Sequence, residues 1–138
     1  MNKFSIFISD NFLVVLLLLS LITVFIIYER KKGGTKLEPS EITRLINKGN
    51  PYVYDLRSSA EYGAGSIAGA ENIQITNLVK GDPLFKATEE DCVILICKTG
   101  TNSSKAAGDL KKEGFININV LSGGMVNWTQ SGLPLVKN

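Results

Sequence analysis

Histidine is absent from the sequence, and cysteine occurs only twice, as Cys92 and Cys97. Without histidine the chain can form neither a Cys–His catalytic pair nor a Ser-His-Asp triad, and no zinc site that needs imidazole. Two cysteines are too few for a four-cysteine metal site. The sequence therefore predicts no bound metal, and any nucleophile must be activated by backbone dipoles or by a cation.

The C-terminal part of the chain has little net charge. The whole chain has 15 basic and 13 acidic residues, but from Leu37 onward acidic residues outnumber basic ones by one. The positive excess lies in a short cluster made of Arg30, Lys31, Lys32 and Lys36. Nucleic-acid binding requires a basic surface across the folded domain. We therefore expect no nucleic-acid partner, and we place the cluster beside anionic lipid headgroups.

Residues 12–28 form an apolar run without a charge, interrupted only by Ser20 and Thr23. A helix of this length spans about 25 Å, slightly less than the hydrocarbon core of a bilayer. The run also lacks the polar stripe of a soluble helix. A cleaved secretory signal is the alternative, but its basic segment would be Lys3 alone, and charged residues follow where small residues should mark cleavage. We therefore expect a retained transmembrane helix.

The basic cluster after this run sets the expected orientation. Lys3 is the only basic side chain before the run, so the positive-inside rule places the C-terminal part in the cytoplasm. We expect a single-pass protein of a bacterial-type inner membrane. Residues 1–11 would be a short N-terminal segment, residues 29–36 a flexible basic linker, and residues 37–138 one compact domain. A cytoplasmic domain keeps both cysteines reduced.

Helix-like and strand-like segments alternate along this domain. The pattern predicts strands over residues 52–56, 72–75, 92–96 and 116–121, and helical segments over residues 39–48, 58–62, 103–113 and 123–128. Such alternation indicates an α/β fold with a mainly parallel sheet, in which ligands bind outside the carboxyl ends of the strands. Because Cys97, Asp55 and Arg57 lie at the carboxyl ends of two of these strands, the sequence predicts a site there.

Cys97 lies between an apolar strand and a helix that is expected to begin at Ser103. The loop between them consists of Lys98, Thr99, Gly100, Thr101 and Asn102. A thiol in this place meets unpaired backbone N–H groups and the positive end of a helix dipole, which favour the thiolate. Gly100 allows the loop to curl into an anion nest, and the hydroxyl groups of Thr99, Thr101 and Ser103 add donors.

Each cysteine also has a structural interpretation, since free cysteine packs as a small hydrophobic residue. We assign that role to Cys92, at the start of the strand, and a functional role to Cys97. The strand between them holds the two thiols beyond disulfide distance. A cysteine phosphatase would need an arginine at the position of Ser103 to clamp phosphate oxygens. The loop contains no arginine, which argues against phosphatase chemistry.

Four segments of the chain form an ordered set of motifs. They read DLRSSAEYGAGSIAGAENI from Asp55, CKTGTNSSKAAGDLKKEGF from Cys97, LSGGMVNW from Leu121 and GLP from Gly132. Their order and spacing resemble the rhodanese-like sulfurtransferase family. The resemblance implies a rhodanese-like domain with a mainly parallel five-stranded sheet flanked by helices. The preceding transmembrane helix also resembles that of a bacterial subgroup of membrane-anchored single-domain rhodaneses.

The resemblance implies sulfur transfer through a persulfide on Cys97, without a cofactor. The thiolate would take sulfane sulfur from thiosulfate, a polysulfide or a persulfidated protein and pass it to cyanide, a thiol or an acceptor protein. The loop from Cys97 to Asn102 has the shorter, sulfur-sized length of the family rather than the phosphate-sized length of its phosphatase relatives. Residues 98–103 would bind the substrate.

Asp55 and Arg57 are expected to support the site through a salt bridge and backbone hydrogen bonds, although Arg57 also has the spacing for a helical pair with Glu61. Asn102 stands where many family members carry an arginine, and this removes a charge that helps to bind an anionic donor. The alternative function is a non-catalytic rhodanese-like module that docks a partner at the membrane, with Cys97 incidental.

Overall fold

The computed structural model describes residues 2–137, with the backbone alone at residues 30–32. It divides into two compact units, one that ends at Lys31 and one that begins at Lys32. The N-terminal helices are α1 (Lys3–Asp10) and α2 (Phe12–Lys32). Every strand among the described residues lies in the second unit.

Helix α2 is longer than the predicted span over residues 12–28. Its segment Phe12–Glu29 is long and apolar enough to cross a membrane, by length and composition, and none of this segment is buried within the protein. No helix is predicted in residues 1–11, where the structure has α1. Asn2 caps α1 by accepting a hydrogen bond from the backbone N–H of Phe4 at 3.4 Å.

A five-stranded parallel sheet forms the centre of the second unit. Its strands are β1 (Thr35–Leu37), β2 (Tyr52–Asp55), β3 (Glu71–Asn72), β4 (Val93–Ile96) and β5 (Ile118–Leu121). Its helices are α3 (Pro39–Lys48), α4 (Ser59–Ala64), α5 (Thr101–Lys112) and α6 (Gly124–Gln130). The strands lie in the order β1-β5-β4-β2-β3. This confirms the predicted α/β fold.

The central strand β4 shows why the sheet is covered on both sides. All four of its side chains are completely buried, and successive side chains point to opposite faces. One face packs on α5 in a cluster that contains Ala107 and Leu110. The other face packs on α3 and α6 in a cluster that contains Ile42 and Trp128. The apolar run before Cys97 is therefore long enough to fill both layers of the core.

The structure corrects the end of the predicted linker over residues 29–36. Thr35 and Lys36 belong to β1, which pairs with β5 at the edge of the sheet. Gly34 is buried with φ +80°, and a Cβ there would lie 2.9 Å from the Cβ of Ala107. Sequence spacing did not reveal this strand, because it has three residues and its partner lies far along the chain.

Most predicted boundaries hold within a few residues. The helix over residues 39–48 is confirmed by α3. Helix α5 begins at Thr101, ahead of the predicted start at Ser103, because Gly100 at its N-cap adopts the left-handed conformation with φ +94°. The predicted strand over residues 72–75 is shorter than expected, since a 3₁₀ turn begins at Ile75.

Candidate active site

Strand β4 delivers Cys97 to the carboxyl edge of the sheet. Ile96, the last residue of β4, pairs with Asp55 at the end of β2, and the backbone N–H of Leu56 donates to the carbonyl oxygen of Ile96 at 2.8 Å. The structure thus brings Cys97, Asp55 and Arg57 to one edge of the sheet. Cys97 itself is buried, with 3% of its surface exposed.

Two backbone N–H groups donate hydrogen bonds to the sulfur of Cys97. The N–H of Gly100 lies 3.0 Å from Sγ and that of Ser103 lies 3.4 Å from it. Both donors come from the junction between the loop and the first turn of α5, where the helix dipole is positive. The two N–H groups converge on the sulfur, which is the geometry of an anion nest.

The side chains of the loop contribute less to the sulfur than expected. Lys98, Thr99, Thr101 and Asn102 are exposed, and in the described part of the chain only backbone N–H groups donate to Sγ. The hydroxyl groups of Thr99 and Thr101 were expected to add donors to the nest, and among the described residues neither of them donates to Sγ. Ser103 differs from them, because it is completely buried and its hydroxyl group has no hydrogen-bond partner among the described residues.

The first turn of α6 holds the backbone of the loop. The N–H of Met125 donates to the carbonyl oxygen of Cys97 at 2.9 Å, and the N–H of Val126 donates to that of Lys98 at 3.1 Å. Gly124 makes this approach possible. It has φ +61°, and a Cβ there would lie 2.4 Å from the carbonyl oxygen of Cys97. The motif LSGGMVNW therefore positions the loop.

The expected salt bridge joins Asp55, at the end of β2, to Arg57 in the loop that follows, and only Asp55 is completely buried. Arg57 donates from Nε to Oδ1 of Asp55 at 3.0 Å and from Nη2 to Oδ2 at 2.8 Å. The same Nη2 donates to the carbonyl oxygen of Gly65 at 2.7 Å. The amide of Asn72 donates to the carbonyl oxygens of Asp55 and Arg57 at 3.0 and 2.9 Å. These bonds fix the loop between β2 and α4.

The predicted helical pair between Arg57 and Glu61 is not formed. Glu61 instead accepts a hydrogen bond from Oγ of Ser58 at 3.1 Å and donates its backbone N–H to that oxygen at 3.3 Å. This is an N-cap of α4. Arg57 pairs with Asp55 because a completely buried carboxylate needs a counter-charge far more than an exposed one does.

Replacing Arg57 with glutamine should strongly destabilise the domain. The change leaves the completely buried carboxylate of Asp55 without its counter-charge, and we expect the free energy of unfolding to fall by about 3–5 kcal/mol. Urea unfolding followed by the fluorescence of Trp128, the single tryptophan, measures the loss. Arg44→Gln, on the exposed side of α3, is the matched control and should change stability by less than about 0.5 kcal/mol. Equal effects of the two variants would contradict the assignment.

The position of Lys36 beside the loop was not predicted from the sequence. A cavity of about 310 Å³ lies beside the loop, and it is lined by Thr99, Gly100 and Thr101 of the loop and by Lys36 of β1. We expected Lys36 at the membrane surface with its basic neighbours. The pairing of β1 with β5 instead brings this cation to the loop. No local signal could have shown this, since the pairing is long-range.

Cys92 lies at the opposite end of β4 from Cys97. It is half-buried rather than buried as expected, and both cysteines are free. Burial raises the pKa of the Cys92 thiol, although a hydrogen bond from the Asn119 amide, 3.5 Å away, partly opposes this. A raised pKa keeps the thiol protonated near neutral pH, and a protonated thiol is a poor nucleophile. Cys92 is thus the less suitable nucleophile of the two thiols.

The model of the Rhodanese-like domain family matches residues 38–131. The chain belongs to this family. It is 31% identical to the thiosulfate sulfurtransferase GlpE of Pseudomonas fluorescens over 91 residues, which cover 65% of this chain and 81% of GlpE. It is 33% identical to YibN of Escherichia coli over 99 residues, which cover 70% of this chain and 68% of YibN.

Other relatives place the rhodanese-like domain within longer proteins. The chain is 30% identical to the probable adenylyltransferase/sulfurtransferase MoeZ of Mycobacterium tuberculosis, over 73% of this chain but only 26% of MoeZ. The tRNA uridine(34) hydroxylase of Pelagibacter ubique is 27% identical, and the chain spans 34% of it. Family membership therefore supports a sulfurtransferase-like protein without assigning one reaction.

Among solved structures, a rhodanese-related protein from Thermoplasma volcanium matches with a TM-score of 0.63 and 27% identity. The match covers 75% of this chain and 99% of that protein. The rhodanese fold of the second unit is therefore shown, including its five-stranded sheet with helices on both faces.

Proposed function

We propose that this rhodanese-like protein is a sulfurtransferase that carries sulfane sulfur as a persulfide on Cys97. One observation carries the proposal: Sγ of Cys97 accepts hydrogen bonds from the backbone N–H groups of Gly100 and Ser103. The two donors support the negative charge that the sulfur carries during transfer, and they hold the sulfur at the carboxyl edge of the sheet, where parallel sheets bind their ligands.

The reaction needs no cofactor. The thiolate of Cys97 attacks the sulfane sulfur of a donor, for example thiosulfate, and a new S–S bond forms while the old one breaks. Sulfite leaves with the electron pair of the broken bond, and Cys97 keeps the sulfur as an anionic persulfide. Cyanide or a thiolate then attacks the outer sulfur, forms thiocyanate or a new persulfide, and releases the thiolate of Cys97.

The charges and the exposure of the loop indicate the kind of donor and acceptor. Asn102 is neutral, whereas Lys98 is exposed in the loop and Lys36 lines the adjacent cavity. We propose that these two lysines attract an anionic sulfur donor, either a small anion or a persulfidated protein. Because the loop side chains are exposed, a protein acceptor can contact the loop and receive the sulfur.

Steady-state transfer of sulfur to cyanide by the full chain in detergent tests the proposal. Thiosulfate, polysulfide and glutathione persulfide serve as donors, and thiocyanate is measured. The proposal requires transfer with at least one donor. Formation of thiocyanate at the rate of the protein-free reaction with all three donors would refute it.

Replacing Asn102 with arginine should improve the use of thiosulfate. A guanidinium at this exposed position adds a charge-assisted contact to a divalent anion, and we expect kcat/KM for thiosulfate to rise about 3- to 10-fold. Asn47→Arg adds the same charge on the exposed surface of α3 and is the matched control. A similar gain in both variants would show that general attraction, not the position of Asn102, limits the use of this donor.

We further propose that α2 anchors the protein in a bacterial inner membrane as a single span, with the rhodanese-like domain in the cytoplasm. The apolar surface of α2 and the basic residues that follow it support this orientation. Protease should digest the domain in inverted membrane vesicles and leave it intact in spheroplasts. The reverse pattern would refute the orientation, and recovery in the soluble fraction would refute the anchor.

A further inference from the structure

Ser103 carries an unsatisfied polar group in the core of the domain. The residue is completely buried, and within the part of the chain that the structure describes its Oγ has no hydrogen-bond partner. A buried hydroxyl group without a partner destabilises the folded protein, typically by about 1–3 kcal/mol, and such groups are rare in native structures. The neighbouring Ser104 shows the usual situation, since its Oγ donates to the carbonyl oxygen of Gly100 at 2.9 Å.

Ser103 lies near the carboxyl end of β4, beside Cys97. Ser103 lies on the buried face of α5 together with Ala106, Ala107 and Leu110, the face that packs on the cluster containing Cys97. Its backbone nitrogen is 3.4 Å from Sγ of Cys97. Three bonds separate this nitrogen from Oγ, so the two atoms stay within roughly 4 Å of each other in every rotamer. The hydroxyl group therefore lies within roughly 7 Å of the reactive sulfur.

We propose that the hydroxyl group of Ser103 is the hydrogen-bond donor for the outer sulfur of the Cys97 persulfide. This inference rests on the proposed function. The two backbone N–H groups already satisfy Sγ in the resting protein. When sulfur is transferred, the thiolate of Cys97 forms a new S–S bond and the donor's leaving group departs with the electron pair. The outer sulfur then carries the negative charge about 2 Å beyond Sγ, where it needs a donor of its own.

The proposal gives Ser103→Ala two opposite effects. Removing a hydroxyl group that has no partner in the resting protein should leave the thermal midpoint of unfolding unchanged or raise it. Removing the donor of an anionic sulfur should shift the equilibrium between persulfide and free thiol toward the thiol, by about fivefold to tenfold. A serine with only a structural role would show neither effect. Its replacement would lower the thermal midpoint and leave the persulfide equilibrium unchanged.

The test measures this equilibrium directly on the full chain in detergent. The protein is incubated at fixed ratios of thiosulfate to sulfite, or of glutathione persulfide to glutathione, and intact mass spectrometry gives the fraction of persulfide. Ser104→Ala is the matched control: its hydroxyl group is already used by Gly100, so the persulfide fraction should equal that of the wild type. Thermal unfolding of all three proteins is followed by the fluorescence of Trp128.

A lower persulfide fraction in Ser103→Ala alone, without loss of thermal stability, supports the inference. Equal fractions in the wild type and Ser103→Ala would overturn it and leave the proposed function intact, and so would a lower thermal midpoint in Ser103→Ala. A wild type that forms no persulfide at any ratio would instead overturn the proposed function.

Discussion

Replacement of Cys97 by serine is expected to reduce sulfur transfer to cyanide by at least about 1000-fold. Serine has nearly the same shape and can accept the same hydrogen bonds from Gly100 and Ser103, but its hydroxyl group is a far weaker nucleophile near neutral pH. No other thiol replaces it, because Cys92 lies at the far end of β4 and its pKa is raised by burial. Thiocyanate formation with the best donor measures the effect.

Two comparisons make this result specific to Cys97. Cys92→Ser should retain sulfur transfer within about twofold, since the half-buried thiol takes no part in the reaction. Cys97→Ser should unfold in urea close to the midpoint of the wild type. More than a tenth of the wild-type rate in a folded Cys97→Ser protein would contradict the proposed mechanism.

Replacement of Gly124 by alanine should also nearly abolish transfer, although Gly124 touches no substrate. The new Cβ would lie 2.4 Å from the carbonyl oxygen of Cys97 and 2.6 Å from the carbonyl oxygen of Lys98. Either the loop or the first turn of α6 must then move, and a displacement of about 1 Å at a reacting group costs roughly 100-fold in rate. The strained φ of +61° and the overpacking should together lower stability by about 2–4 kcal/mol.

Gly132→Ala separates the clash from the backbone strain. Gly132 has φ +73°, but nothing lies within 4 Å of a Cβ placed there. This variant should lose about 1–2 kcal/mol from the left-handed conformation alone and keep its rate of sulfur transfer. If both alanine variants lost the same stability and kept the same rate, the contact between α6 and the loop would not position Cys97.

Local sequence patterns were sufficient to predict the centre of the fold. The apolar run before Cys97 is β4, whose side chains fill both layers of the core. The spacing of Ile42, Leu45 and Ile46 predicted α3 with its observed bounds. In a parallel sheet, the carboxyl ends of the strands meet at one edge, and this rule alone was enough to place Cys97 beside Asp55.

Features that depend on long-range contacts could not be predicted in this way. Strand β1 has three residues, and its formation depends on pairing with β5. The placement of Lys36 beside the loop depends on that pairing. The hydrogen bonds between α6 and the loop depend on a close approach of Gly124 to Cys97. The sequence did not predict this approach, because a Gly-Gly pair is equally typical of a simple turn.

The partner of Arg57 illustrates the limit of a local rule. The sequence offered Arg57 two acidic partners: Asp55, in the expected salt bridge that supports the site, and Glu61, at the spacing of a pair on an exposed helix surface. The structure pairs Arg57 with Asp55, which is completely buried at the end of β2. Burial decides between the two carboxylates, and burial follows from the packing of the whole sheet rather than from the spacing of charges.

Intact mass spectrometry of the full chain after incubation with thiosulfate, polysulfide or glutathione persulfide tests the central claim most directly. We predict a gain of one sulfur atom that cyanide removes, in the wild type and in Cys92→Ser but not in Cys97→Ser. A gain that persists in Cys97→Ser would place the persulfide elsewhere. No gain with any of the three donors would contradict the claim and favour a rhodanese-like module that binds a partner without transferring sulfur.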